Sequence, residues 1–112
     1  MPIIAVLTNL PDSGSAFNLA RELVMMRLAA CVNVLSPATS VYRWKGNLEE
    51  TVEVPVLIKS TLENYPAIES AIRRAHPYEL PEIVSWTIER GLPDYLAWVE
   101  RESRPGSERS EP

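Results

Sequence analysis

The sequence predicts an α+β domain of βαββαβ order, with a long hairpin between its second and third strands and an extra helix after the last strand. Three observations lead there. Short apolar runs of strand character alternate with stretches of helical spacing in that order. The two central strand-like runs are joined by turn residues, and together they exceed the usual strand of about five or six residues. Finally, 112 residues with 46% hydrophobic and 23% charged side chains suit one folded domain and leave no room for a second. That domain is expected over residues 1–100, with 101–112 a disordered tail rich in Ser, Gly, Pro and charge.

The run from Ile3 to Leu7 is apolar on both faces and is closed by Thr8-Asn9-Leu10-Pro11-Asp12, a strand followed by a turn. Asp12, Ser13 and Ser15 are possible N-caps for a helix whose apolar positions Phe17, Ala20, Val24 and Leu28 recur at helical spacing. Ala30 to Leu35 returns to strand character. Ser36-Pro37-Ala38-Thr39 then predicts a bulge or bend, because proline cannot donate to a ladder. Ser40 to Trp44 alternates again, Lys45-Gly46-Asn47 turns the chain, and Val52, Val54, Val56 and Ile58 line one face of the returning strand. Pro55 within that strand must occupy an edge or a bulge, where it bends the hairpin and guards against open-ended pairing.

Ser60 and Glu63 fit a capping box, with Thr61 and Asn64 as rival caps, ahead of a second helix marked by Tyr65, Ile68, Ile72 and Ala75. Pro66 is tolerated only in its first turn. His76-Pro77-Tyr78-Glu79-Leu80-Pro81 is extended or turning, Ile83 to Ile88 is the last strand, and Leu92 to Glu100 is a short third helix. The pairs Ile3-Ile4, Leu57-Ile58 and Ile83-Val84 place apolar residues on both sides of the sheet. Two helices cover one side; one short helix is too small for the other, so partner subunits are expected.

The formal charge of −4 with scattered Lys and Arg argues against nucleic acid as a partner. No apolar run approaches the length that spans a bilayer, which argues against membrane as well. One cysteine and an N-terminus without a basic region before an apolar core make a cytoplasmic protein the expectation.

Five stretches carry a resemblance: Ala29-Ala30-Cys31-Val32-Asn33-Val34, Ser40-Val41-Tyr42-Arg43-Trp44-Lys45-Gly46, Ile58-Lys59-Ser60, His76-Pro77-Tyr78-Glu79-Leu80-Pro81-Glu82-Ile83 and Tyr95-Leu96-Ala97-Trp98. In this order and at these separations, from the first strand to about Val99, the chain resembles the CutA family of divalent-cation tolerance proteins. The resemblance implies a ferredoxin-like fold, a homotrimer joined through the long hairpins and sheet edges, and a non-enzymatic role in tolerance of copper and other divalent cations. The family's fold and trimer also look like those of the PII signalling proteins. By that analogy the alternative is an adaptor that binds a small ligand or partner protein in clefts between subunits.

Several residues could carry chemistry. Cys31 is a soft ligand for copper or zinc, or a small buried residue at a strand start. His76, the single histidine, is a metal ligand or an imidazole closing the end of the second helix. A closed zinc site needs four ligands, which one cysteine and one histidine cannot supply. A three-fold assembly could combine His76 or Cys31 with Glu79, Glu82 or Asp94. Met25 and Met26 point about 100° apart on a helix and suit gap-filling or an interface better than copper. Some relatives carry a further cysteine at the end of the first strand, where this chain has Asn9 and Leu10. Acid-base work by His76 with Tyr78, Glu79 or Glu82 lacks any accompanying nucleophile elbow, phosphate loop or dinucleotide motif. Tyr42 and Trp44 share one face of the hairpin near its tip; with Pro55 they are the expected contacts to a neighbouring subunit.

Overall fold

The computed structural model describes residues 2–106, from which the chain runs β1 (Ile3–Leu10), α1 (Ser13–Met25), β2 (Cys31–Val34), β3 (Ala38–Trp44), β4 (Asn47–Thr61), α2 (Tyr65–Ala75), β5 (Ile83–Thr87) and α3 (Pro93–Glu102). The main sheet has the order β2-β4-β1-β5 with every pair antiparallel, and β3 continues the hairpin by pairing with the first half of β4. No helix among the described residues is long and apolar enough to cross a membrane.

Strand β1 continues three residues past the turn expected after Leu7. Its Thr8, Asn9 and Leu10 find backbone partners opposite Val56, Pro55 and Val54, so tertiary pairing overrides the turn signal. The β2/β3 arm carries the expected bulge. Val34 faces Val56 and Ala38 faces Glu53, so residues 35–37 lie opposite only 54–55. Pro55 is at this irregularity, and its carbonyl accepts from the Leu35 N–H at 2.9 Å. At the tip, Trp44 pairs with Asn47 across a two-residue turn in which Lys45 (φ 51°) and Gly46 (φ 84°) are both left-handed. A tight hairpin turn of this hand matches the twist of the strands.

Asp12 is the cap of α1. Its carboxylate accepts from the Ser15 N–H and from the Ser15 hydroxyl, both at 2.8 Å. The face that α1 buries is not the expected one. Ala16, Leu19 and Leu23 point into the core, whereas Phe17 and Val24 are exposed, with Arg21 5.8 Å from the Phe17 ring centroid. Both sets have helical spacing, so periodicity alone cannot choose between them; contact with the sheet and α2 decides. The helix ends through Arg27, left-handed at φ 58°, a conformation that costs a non-glycine residue about 1 kcal/mol. The Arg27 guanidinium is held by Glu102 at 3.2 Å.

Helices α1 and α2 pack on one face, where Ile4, Val6, Leu10, Val56 and Ile58 meet Leu19, Leu23, Ile68 and Ile72. Each fully buried aliphatic side chain of this kind contributes about 1.5–3 kcal/mol. On the other face α3 packs on β1 and β4 through buried Val99, and Ile3 and Ala5 are buried as well. A tail is expected from Arg101, but residues 101–103 are part of the folded structure. Arg101 and Glu102 belong to α3 and Ser103 is buried, because the end of this helix is tied to the core; residues 107–112 lie outside the described part.

The tie replaces the expected capping box. Ser60 is still in β4, and its hydroxyl donates to the Leu28 carbonyl. Asn64 occupies the cap position of α2 without capping it. Its amide lies within hydrogen-bond reach of Leu28 O (3.1 Å), Ser60 Oγ (3.2 Å) and Ser103 O (2.8 Å), linking the end of α1, the end of β4 and the end of α3. Satisfying carbonyls inside the protein outweighs a local cap because buried acceptors without partners are costly.

Replacing Asn64 by Ala should lower stability by about 1–3 kcal/mol in urea unfolding at fixed protein concentration, since it strands the Ser103 carbonyl and removes one of the two hydrogen-bond partners of Leu28 O and of the Ser60 hydroxyl. A loss below about 0.5 kcal/mol, the level of an ordinary surface change, would count against the clasp. Asp12 gives a second expectation. The Ser15 backbone N–H, then its hydroxyl, hold the Asp12 carboxyl below the usual carboxylate range. Its contribution is therefore present above the unfolded-chain pKa and lost as pH falls through the folded one. The melting-temperature advantage of wild type over Asp12→Ala should shrink on acidification, while Asp12→Asn should show no such titration.

Candidate functional site

Alternation along the hairpin gives it two unlike faces. Ser40, Tyr42 and Trp44 of β3 lie opposite Thr51, Glu49 and Asn47, and Ala38 lies opposite Glu53. This face looks onto the connection between α2 and β5, and the two enclose an open groove of about 800 Å³ that includes Tyr42, Trp44, Glu53, Tyr78, Glu79 and Glu82 in its walls. The opposite face carries Val41, Leu48 and Val52, each more than 60% exposed.

His76 organises the connection. Its backbone N–H closes α2 on Ile72 O at 2.9 Å, and Pro77 prevents the helix from continuing. The ring is buried, 8% exposed, and both nitrogens are engaged: Nδ1 accepts from the Tyr78 N–H at 3.3 Å, and Nε2–H donates to Asn9 O. That arrangement defines the neutral tautomer with its proton on Nε2. The Tyr78 ring lies 4.4 Å from the imidazole centroid, and its hydroxyl is close to the Glu53 carboxylate. Burial, followed by the neighbouring Glu53 charge, pushes the Tyr78 phenol up from its ordinary pKa.

Glu82 accepts from the Asn9 side-chain amide at 2.7 Å, so Asn9 links it to His76. Glu79 is exposed and pairs with Lys45 at 3.7 Å, joining the connection to the hairpin tip. Tyr42 donates to or accepts from Thr51 at 3.0 Å along the wall of the groove. Tyr42 and Trp44, expected at a subunit contact, thus line the groove, and Pro55 lies at the bulge below it. In the sequence Glu53 reads, with Glu49 and Glu50, only as a hairpin charge that would repel phosphate; it is in fact only 7% exposed and forms no ion pair among the described residues.

Cys31 is elsewhere. It begins edge strand β2, opposite Lys59, whereas Glu82 precedes β5 at the other edge of the sheet. Those edges are three inter-strand spacings apart, about 14 Å. The half-buried thiol is a neighbour of Tyr95, whose phenol is pushed up first by burial and then by Cys31. Asp94 is in the first turn of α3 and exposed, and Met25 and Met26 are exposed at the end of α1. One chain therefore brings His76 and Glu82 around Asn9, leaves Glu79 with Lys45 and keeps Cys31 apart. No group of three or more His, Cys, Asp or Glu poised for a metal exists among the described residues.

The profile of the CutA1 divalent ion tolerance protein family matches residues 4–102. The chain is 47% identical over 89 residues to a CutA homolog of Xenopus laevis, covering 80% of this chain and 59% of that one. It is 43% identical over 96 residues to the divalent-cation tolerance protein CutA of Yersinia pestis, covering 86% and 81%. The chain spans less than two thirds of its animal relatives, 59% of the frog protein and 55% of the mouse protein. Among solved structures, the divalent cation tolerance protein of Thermus thermophilus superposes with a TM-score of 0.88 at 37% identity, over 91% of this chain and 99% of that one. The CutA1 of Oryza sativa superposes with a TM-score of 0.89 at 30% identity, over 93% and 95%. The fold is the ferredoxin-like one shared by these structures, and with its motifs, topology and family profile in agreement the chain belongs to the CutA1 divalent ion tolerance protein family.

Proposed function

We propose that this protein acts in divalent-cation tolerance as a homotrimer that binds copper or another divalent cation weakly at subunit boundaries, without catalysing a reaction. The observation that carries the assembly is the apolar surface one chain leaves uncovered. Val41, Leu48 and Val52 on the outer face of the hairpin, and Val84 and Trp86 on edge strand β5, are each between 46% and 67% exposed. The radius of gyration, 15.0 Å, exceeds the roughly 13 Å of a compact domain of this length, as the projecting hairpin requires. An uncharged edge strand and a projecting apolar hairpin are the features that a second copy would cover.

Family membership supports the metal role, and the chemistry of the side chains selects the ligands. His76 has no free lone pair, since Nδ1 accepts from the Tyr78 N–H and Nε2 carries the proton given to Asn9. Glu79 and Glu82 remain as accessible carboxylates, which a neighbouring subunit must supplement to complete a coordination shell. The groove supports a second reading, a PII-like adaptor that takes a small ligand between subunits, because its volume and mixed aromatic and polar walls are those of a ligand pocket.

Two measurements test the proposal. Sedimentation velocity of Leu48→Lys combined with Trp86→Lys should show a shift from trimer to monomer at low micromolar concentration, with a smaller effect from Trp44→Ala; a trimer unchanged in the double variant contradicts the assembly. Calorimetry with Cu(II) and Zn(II) should show affinity reduced about tenfold or more by Glu79→Gln with Glu82→Gln. His76→Ala should change it little, and the reverse pattern would return His76 to the ligand set.

A further inference from the structure

Two strand edges of the chain are open. β5 pairs on one side only, with β1, and β3 on one side only, with β4. Each strand carries two large side chains two positions apart on one face: Val84 and Trp86 on β5, 46% and 48% exposed, and Tyr42 and Trp44 on the groove face of β3. An unpaired edge without charged residues, as β5 is, is a template for another strand.

Every pair in the sheet is antiparallel, and antiparallel addition of β5 to β3 of a second copy has one register that matches both sets: Trp86 opposite Tyr42 and Val84 opposite Trp44. The chain stays on the ladder past Thr87, since the Ile88 N–H donates to Ile3 O at 2.8 Å. Counting on, Arg90 arrives opposite Ala38, and Ala38 is the residue that faces Glu53. Glu53 is 7% exposed and Arg90 is exposed, and neither forms an ion pair among the described residues. A buried carboxylate without a counter-charge is costly. Two strand spacings, about 10 Å between Cα atoms, separate the two positions, and the methyl group of Ala38 leaves the long arginine free to cross.

We propose that the groove of each copy is completed by the next copy, whose β5 adds antiparallel to β3 with Trp86 opposite Tyr42 and whose Arg90 pairs with Glu53. The inference rests on the assembly reading and names the strands, the register and the cation. The contact is head-to-tail and closes when repeated around a three-fold axis. A guanidinium-carboxylate hydrogen bond supplies the counter-charge that Glu53 lacks in one chain.

The test is cross-linking in a Cys31→Ser background, at concentrations where sedimentation of the same protein is measured. Ala38→Cys with Arg90→Cys should form a disulfide between subunits on oxidation and give a covalently linked trimer on a non-reducing gel. Thr39→Cys with Arg90→Cys, directed to opposite faces, should give about tenfold less. One chain cannot form the bridge, because Arg90 lies past Ile3 and Ala38 past Leu10, roughly 20 Å or more apart along β1. Arg90→Met and Glu53→Gln should each raise the concentration at which the assembly dissociates about tenfold, and the double variant should add little to either. Additive effects overturn the ion pair. If Glu53→Gln fails to fold, Arg90→Lys must retain assembly that Arg90→Met loses, and equal losses overturn it. A trimer without the expected cross-link overturns the register yet leaves the assembly, whereas a protein that sediments as a monomer removes both.

Discussion

Strand β4 is the constraint on which the other elements depend. Its 15 residues are divided between two tasks: Val54 to Thr61 form the centre of the main sheet between β1 and β2, and Asn47 to Glu53 pair only with β3. A strand that is central along half its length and half of an isolated ribbon along the rest must leave the domain. The departure occurs where Pro55 meets the extra residue of the β2/β3 arm. Because β1 continues to Leu10 opposite Val54, the hairpin base is fixed beside Asn9, and Asn9 in turn receives His76 and holds Glu82. The groove follows from this register.

The end of β4 does comparable work for the second face. Ser60 and Asn64 converge on Leu28 O, and Asn64 reaches Ser103 O, so α3 is tied to the core at its far end. Arg27 and Glu102 add an ion pair across the same junction. The pairing of Arg27 with its unfavourable left-handed backbone is coherent in this light: the turn that Arg27 makes delivers Leu28 to the clasp. With α3 held in place, Val84 and Trp86 are left beyond its cover at the β5 edge.

The site divides into what composition suggests and what placement permits. His76, Glu79 and Glu82 are recognisable as chemistry-bearing residues because they cluster in a proline-bounded connection. Their roles were not legible. Whether an imidazole has a free nitrogen depends on which backbone groups approach it; Tyr78 supplies one locally, but the other comes from Asn9, 67 positions away in sequence. Cys31 shows the opposite failure: a plausible partner in composition is removed by strand order, which sends it to the far edge of the sheet. The burial of Glu53 was not legible for a similar reason, since the Tyr78 connection that shares its groove comes from a distant part of the chain.

Sequence by itself determined the order of the elements, the long hairpin, its turn and the irregularity near Pro37 and Pro55, and the family motifs, since alternation, turn chemistry and proline act locally. Tertiary structure alone decided which stripe of α1 is buried, that Thr8 to Leu10 extend a strand, that Asn64 serves as a clasp rather than a cap, and that Tyr42 and Trp44 face a groove. In each of these cases local chemistry allows two conformations of similar energy. The choice is made by backbone and side-chain partners that lie distant in the chain, whose hydrogen bonds and burial outweigh small local preferences.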